Sequence, residues 1–88
     1  MNLPEHLALI VSDTNRDDIA SGRMTADAHI ADLRWHAETA GLDVESVVAA
    51  GRRVAQERSH VAGTIPDGPR MAARLSAASN RWAAIVTA

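Results

Sequence analysis

The chain has 88 residues, a formal net charge of −2 at pH 7 and no cysteine. The length predicts a single domain over residues 1–88, and the absence of thiols excludes disulfides, thiolate zinc sites and cysteine nucleophiles. Alanine supplies 18 residues, whereas phenylalanine and tyrosine are absent, so we expect closely packed helices around a thin core.

The first predicted helix covers residues 3–11, with Asn2 as its N-cap. Its apolar stripe consists of Leu3, Leu7, Ile10 and Val11. Residues 12–15 predict a break, because Ser, Asp, Thr and Asn side chains bond readily to their own backbone. A short helical turn is expected over residues 17–21 and should end at Gly22.

The second helix is predicted to begin after Thr25, a good N-cap, and to run to Ala40. Gly41 should end it, because a residue without Cβ adopts the left-handed conformation at low cost. The core stripe, at spacings of three and four residues, consists of Ile30, Leu33, Ala37 and Ala40. Trp35 lies off this stripe.

The third helix should begin after Asp43, where Leu42 and Val47 are spaced as a hydrophobic staple. Its apolar side consists of Val44, Val47, Val48, Val54, Ala55 and Val61. Residues 62–68 predict a loop, because the segment Ile-Pro-Asp-Gly-Pro at 65–69 is rich in turn-forming residues.

The last helix is predicted from Arg70 to Val86, with Pro69 at its first position. Its apolar seam consists of Met71, Leu75, Ala78, Trp82 and Ile85. The capped segments together predict an all-α fold, a compact bundle of four main helices with the turn at 17–21 as one extra short helix.

Part of the chain has the spacing of a DNA-binding motif. Ala37 is a small residue where two helices would touch, Gly41 makes a turn, and Val47 would anchor the second helix. In these features residues 33–52 resemble the bacterial helix–turn–helix pattern. The resemblance implies a transcriptional regulator whose helix after the turn enters the major groove of DNA.

Two features depart from that pattern. His36 stands where an apolar residue is usual, and Asp43 and Glu45 place carboxylates at the helix end that should approach phosphates. Nucleic acid is therefore the disfavoured partner. The basic residues available for such a contact are Arg52, Arg53, Arg58 and Arg70.

Charge is divided unevenly along the chain. Residues 1–45 carry nine acids and three arginines, a net of −6, whereas residues 46–88 carry two acids and six arginines, a net of +4. Arg70, Arg74 and Arg81 fall within about 40° on a helical wheel and form a basic ridge. Two interpretations stay open: the halves neutralise each other in the fold, or the ridge binds an acidic partner or phosphates.

One group of side chains has the residue types of a metal site. His29, Asp32 and His36 lie three and four residues apart, so that they share a face of the second helix. The alternative is a polar outer face with an Asp32–His36 pair. Because the spacing matches no standard zinc motif, the sequence predicts no metal.

Motifs for catalysis are absent from the chain, which has no nucleophile elbow, Gly-rich phosphate loop or paired carboxylates. We therefore expect no enzyme activity, no cofactor and no small-molecule substrate. Neither a basic leader nor an apolar run of about 20 residues occurs, so we expect a cytoplasmic location and no membrane association.

These exclusions favour a small non-enzymatic protein, a regulator, adaptor or inhibitor, that binds another protein or a second copy of itself. We place the surface on the last helix, because its seam alternates four and three residues as a two-helix contact does. Trp82 is also of a residue type that dominates interface energies. The alternative, that it is an internal anchor of the core, stays open. The predicted interface consists of Met71, Arg74, Leu75, Ala78, Arg81, Trp82 and Ile85.

Two other functional classes stay open, the helix–turn–helix regulator and a structural subunit of a phage particle. All nine basic residues are arginine. Together with the alanine excess, this composition indicates a GC-rich genome, such as that of an actinobacterium or one of its phages.

Overall fold

The computed structural model describes residues 2–63 and 68–88, which form four α-helices. Helix α1 spans Leu3–Ser21, α2 spans Ala26–Ala40, α3 spans Val44–Gly63 and α4 spans Pro69–Val86. Each helix contacts the other three, and no strand occurs in the described ranges. The predicted all-α bundle of four main helices is therefore confirmed.

Helix α1 is continuous, so the predicted break at residues 12–15 and the separate short helix at 17–21 are wrong. Ser12 and Asn15 are buried, and the Asn15 amide bonds to side chains of α2 instead of to its own backbone. The Thr14 hydroxyl donates to the Ile10 carbonyl one turn back, which is compatible with a helix. The predicted end at Gly22 is confirmed, with φ +82°.

The buried side of α1 differs from the predicted stripe. It consists of Ala8, Val11, Ser12, Asn15 and Ile19. Leu3 and Ile10, by contrast, are exposed. Because the helix continues through residue 21, its second half determines which side faces the bundle, and the polar Ser12 and Asn15 lie on that side.

Both ends of α2 and the start of α3 are where the caps predict them. The Thr25 hydroxyl accepts from the Ala28 N–H at 3.1 Å, and Gly41 has φ +70°. The Asp43 carboxylate accepts from both the backbone N–H and the hydroxyl of Ser46. The predicted core stripe of α2 is wrong at Ala40, which lies in the last turn and is exposed.

Helix α3 extends through residues 62 and 63, which were predicted as loop. The predicted turn residues Ile65, Pro66 and Asp67 lie outside the described residues. Pro69 occupies the first turn of α4 as predicted, where its missing N–H leaves no intrahelical partner unsatisfied.

All four helices contribute to the core. Its buried apolar residues are Ala8, Val11, Ile19, Ile30, Leu33, Ala37, Val47, Val48, Ala50, Ala55, Trp82 and Ile85. Four of these twelve are alanine, which agrees with the expected thin core. Across the described residues, no helix combines the length and apolar character needed to cross a membrane.

Gly51 marks the closest approach of α3 to α2. A Cβ at this position would lie 2.5 Å from Cδ1 of Leu33, a fully buried side chain. We expect Gly51→Val to lower the free energy of unfolding by about 1–3 kcal/mol, because the core must shift to admit the added atoms. Urea unfolding measures the change.

The matched control for this substitution is Gln56→Val, which places the same side chain at an exposed position of α3. It should change stability by only about 0.5 kcal/mol. Equal losses for the two variants would contradict close packing of α2 on α3 at Gly51.

Candidate functional site

An open groove of about 600 Å³ runs between the end of α1 and the middle of α4. The first side of the groove is formed by Asp17, Ala20, Ser21 and Arg23. The second side is formed by Arg74, Leu75, Ala77, Ala78 and Arg81. Arginines on both sides therefore border a strip of small and apolar side chains.

The position of Arg81 in this groove depends on how α1 ends. Its guanidinium donates a hydrogen bond to the Ala20 carbonyl, in the last turn of α1. Glycine is favoured at position 22 by its positive φ, and a Cβ there would also lie 3.0 Å from Cζ of Arg81, so that the guanidinium would have to shift. A cation at a helix C-terminus is also favoured by the helix dipole.

The groove carries excess positive charge. Its lining contains Arg23, Arg74 and Arg81 but only one acid, Asp17. Arg23 forms an ion pair with Asp18 at 2.9 Å. Arg74 is exposed, and none of the ion pairs between described residues includes it. Within the part of the chain that the structure describes, no acid pairs with its guanidinium, which carries five N–H donors.

Of the interface residues that the sequence predicts on α4, some are buried in the core and others line the groove. Trp82 is 3% exposed and Ile85 is fully buried, so both belong to the core of the single chain and the prediction that they bind a partner is corrected. They are buried because their side of α4 packs on the other three helices. The predicted residues that line the groove are Arg74, Leu75, Ala78 and Arg81. The side chain of Met71 lies outside what the structure describes.

A polar cluster lies beneath the surface between α1 and α2. The Asn15 amide donates to the Asp32 carboxylate at 2.8 Å and contacts Nδ1 of His29 at 3.1 Å. Since an amide N–H can only donate, His29 Nδ1 accepts, which places the ring proton on Nε2. That Nε2 atom and the Ser12 hydroxyl are buried and have no hydrogen-bond partner among the described residues.

His29 contacts α4 directly and has a cation of α3 nearby. Its ring meets the Trp82 ring edge-on, with centroids 6.3 Å apart, and the Arg58 guanidinium lies 5.1 Å from the centre of the Trp82 ring. Burial lowers the pKa of His29, the Asp32 carboxylate opposes this effect, and Arg58 adds to it. The imidazole is therefore neutral at pH 7.

The arrangement does not form the metal site that the sequence raised as a candidate. Among the described residues, no group of three His, Asp or Glu side chains is placed to hold a metal ion. His29 Nδ1 accepts a hydrogen bond from the Asn15 amide. Nε2 of His36 lies 3.5 Å from Oδ1 of Asp32. The alternative, an Asp32–His36 pair, agrees with this geometry.

Three of the four arginines predicted to contact nucleic acid are engaged within the fold. Arg53 pairs with Glu5, Arg58 pairs with Asp13, and Arg52 donates to the Ala88 carbonyl. The two acids belong to the N-terminal half of the chain. Neutralisation of one half by the other, one of the two interpretations of the charge division, therefore occurs at these pairs. Arg70, the fourth, is exposed.

The turn between α2 and α3 contains Gly41 in the left-handed conformation, and two acids follow it at the start of α3. Asp43 caps α3, and its hydrogen bond from the Ser46 hydroxyl is the main cause of its lowered pKa. Glu45 pairs with Arg34 at 2.9 Å. The helix end that should face phosphates therefore carries two acidic side chains, Asp43 and Glu45.

Comparison of the chain with protein-family models, curated proteins and solved structures gives no match. The groove and the polar cluster are therefore interpreted from their own chemistry.

Proposed function

We propose that this protein is a non-enzymatic binding module that docks an acidic segment of a protein partner in the groove between α1 and α4. The observation that carries the proposal is a strip of small and apolar side chains with Arg74 beside it, which forms no ion pair with any other described residue. An amphipathic helix with one apolar and one acidic side fits such a surface, because helices bind grooves through residues at helical spacing.

A protein partner suits the groove better than nucleic acid does. Leu75, Ala77, Ala78 and Ala20 supply apolar surface that a phosphate backbone would not use. Arg81, in turn, is held against the end of α1 by the Ala20 carbonyl. The cationic groups thus lie beside an apolar strip, as expected for a surface that binds a protein through both charged and hydrophobic contacts.

The test uses a synthetic acidic peptide of about 20 residues, which spans about 30 Å as a helix, with leucine and glutamate at helical spacing. Fluorescence anisotropy of the labelled peptide should show binding that weakens as salt is added. Arg74→Glu should weaken it roughly tenfold, because the substitution puts a like charge against the acidic side.

Arg53→Glu is the matched control, because Arg53 is exposed, lies outside the groove and loses only a surface ion pair with Glu5. It makes the same change of charge and should leave most of the affinity intact. Equal losses for the two variants would show attraction by net charge alone. Tighter binding of a duplex DNA than of the peptide would overturn the proposal in favour of a DNA-binding regulator.

A further inference from the structure

The outer face of α2 carries two exposed acids and an exposed tryptophan. Asp27 and Glu38 form no ion pair with any described residue. Trp35 is 59% exposed, and its ring contacts the neighbouring His36 ring edge-on. These three residues, Asp27, Trp35 and Glu38, are called the α2 face below.

The spacing of the α2 face matches that of the basic ridge on α4. Asp27 and Glu38 are eleven residues apart, about 16 Å along the helix and within about 20° around it. Arg70 and Arg81 are also eleven residues apart. Two helices placed side by side can therefore bring both acids opposite both arginines.

The apolar residues match as well. Trp35 lies eight residues after Asp27, and Ala78 lies eight residues after Arg70. On a helical wheel, Trp35 is therefore about 80° from Asp27, and Ala78 is about 80° from Arg70 in the same direction. When two such helices pack antiparallel, both apolar residues fall on the same side of the contact. The indole of Trp35 would then lie about 3 Å from the level of Leu75 and about 8 Å from that of Ala78, measured along the helix axis.

We propose that the occupant of the groove is a second copy of this chain, which inserts its α2 face antiparallel to α4. The inference rests on the proposed function, because it uses the same groove and identifies its acidic partner. Arg34 lies in the same row, seven residues after Asp27, and would come opposite Arg74 in this arrangement. Its ion pair with Glu45 offsets its charge, so that Asp27, Glu38 and Glu45 leave this side of α2 with a net negative charge. The charges on the two surfaces are therefore opposite.

The contact joins two different surfaces of the same protein, so each copy has one free α2 face and one free groove. Such a head-to-tail interface does not close on itself in a dimer, and repeated use of it forms a ring or an open filament. The protein would thus act as the subunit of an assembly.

Light scattering after size-exclusion chromatography, over a range of protein concentrations, tests the inference. The wild-type mass should rise with concentration beyond that of a dimer and fall when salt is added. Two triple variants, each altered on one surface, should stay monomeric. The face variant is Asp27→Ala/Trp35→Ala/Glu38→Ala. The groove variant is Arg70→Ala/Arg74→Ala/Leu75→Ser, which alters two groove residues and Arg70, the ridge residue beyond the groove lining.

Mixing the two variants gives the decisive measurement. The groove variant keeps an intact α2 face and the face variant keeps an intact groove, so the mixture should form a 1:1 dimer that grows no further. Helical circular dichroism of each variant establishes that it is folded. Glu57→Ala is the control, because it removes an exposed acid of α3 outside both surfaces and should assemble as the wild type does.

A wild-type chain that stays monomeric at millimolar concentration would overturn the inference, as would two folded variants that do not combine. Binding of the acidic peptide to the groove would survive either result. Assembly that persists in the groove variant would likewise place the contact elsewhere and overturn the inference. Loss of peptide binding alone would instead count against the proposed function.

Discussion

Replacement of Trp82 by alanine should lower the free energy of unfolding by about 3–5 kcal/mol. The side chain is 3% exposed, meets His29 edge-on and lies beneath the Arg58 guanidinium. A domain of this size has only about 4–13 kcal/mol of stability. The variant should therefore melt at least about 12 °C below the wild type or be largely unfolded at room temperature.

The measurement is thermal melting followed by circular dichroism, with a mass determination at the same concentration. Trp35→Ala is the matched control, because it removes the same side chain from a 59% exposed position. It should change stability by only about 0.5 kcal/mol under conditions where the protein is monomeric. A Trp82→Ala variant that keeps its melting temperature but loses an oligomeric state would show that Trp82 anchors an interface instead.

Local chemistry explains which parts of the fold the sequence predicts. The hydroxyl of Thr25, the carboxylate of Asp43 and the left-handed glycines at positions 22 and 41 act within one helical turn. A cap of this kind can be recognised from neighbouring residues alone. The ends of α1 and α2 and the start of α3 were accordingly predicted where they occur.

The continuity of α1 depends on residues far along the chain. The segment 12–15 has the composition of a turn, but Asn15 finds its partners in His29 and Asp32, 14 and 17 residues away. Those partners outweigh the local preference for a break. A hydrogen bond between side chains of two different helices does not change the residue spacing within either helix. The sequence therefore did not predict this cluster.

The sequence indicates only the α4 side of the groove. The spacing on α4 indicates which residues form the basic ridge, and Arg74, Leu75, Ala78 and Arg81 do line the groove. The other half comes from the last turn of α1, which was expected to be a separate short helix. The burial of Trp82 could not be predicted either. A narrow apolar seam has the same spacing whether it is covered by a partner or by the core of its own chain.

The stability of the protein should fall as the pH drops below about 6.5, the ordinary pKa of histidine. Burial lowers the pKa of His29 in the folded chain, so the unfolded chain takes up a proton first and protonation favours unfolding. The stabilisation is complete above the unfolded pKa and is lost between it and the lower folded pKa. The loss is at most about 1.4 kcal/mol per pH unit.

The groups that face the imidazole come from all four helices and determine how steep this loss is. Asp32 holds a negative charge near the ring and moderates the effect, whereas Arg58 strengthens it. Asn15 and Trp82 are uncharged and occupy the remaining sides. Nε2, the atom that a buried imidazolium would need to pair in addition to Nδ1, has no hydrogen-bond partner in residues 2–63 and 68–88.

Urea unfolding at intervals between pH 5 and pH 8 measures this dependence, and the slope with pH is the informative quantity. His29→Gln keeps an acceptor for the Asn15 amide but does not titrate, so its stability should be nearly flat between pH 5.5 and 7. His60→Gln is the control, because His60 is exposed and its removal should leave the wild-type slope. An unchanged slope in His29→Gln would assign the pH dependence to another group and contradict the buried, neutral imidazole.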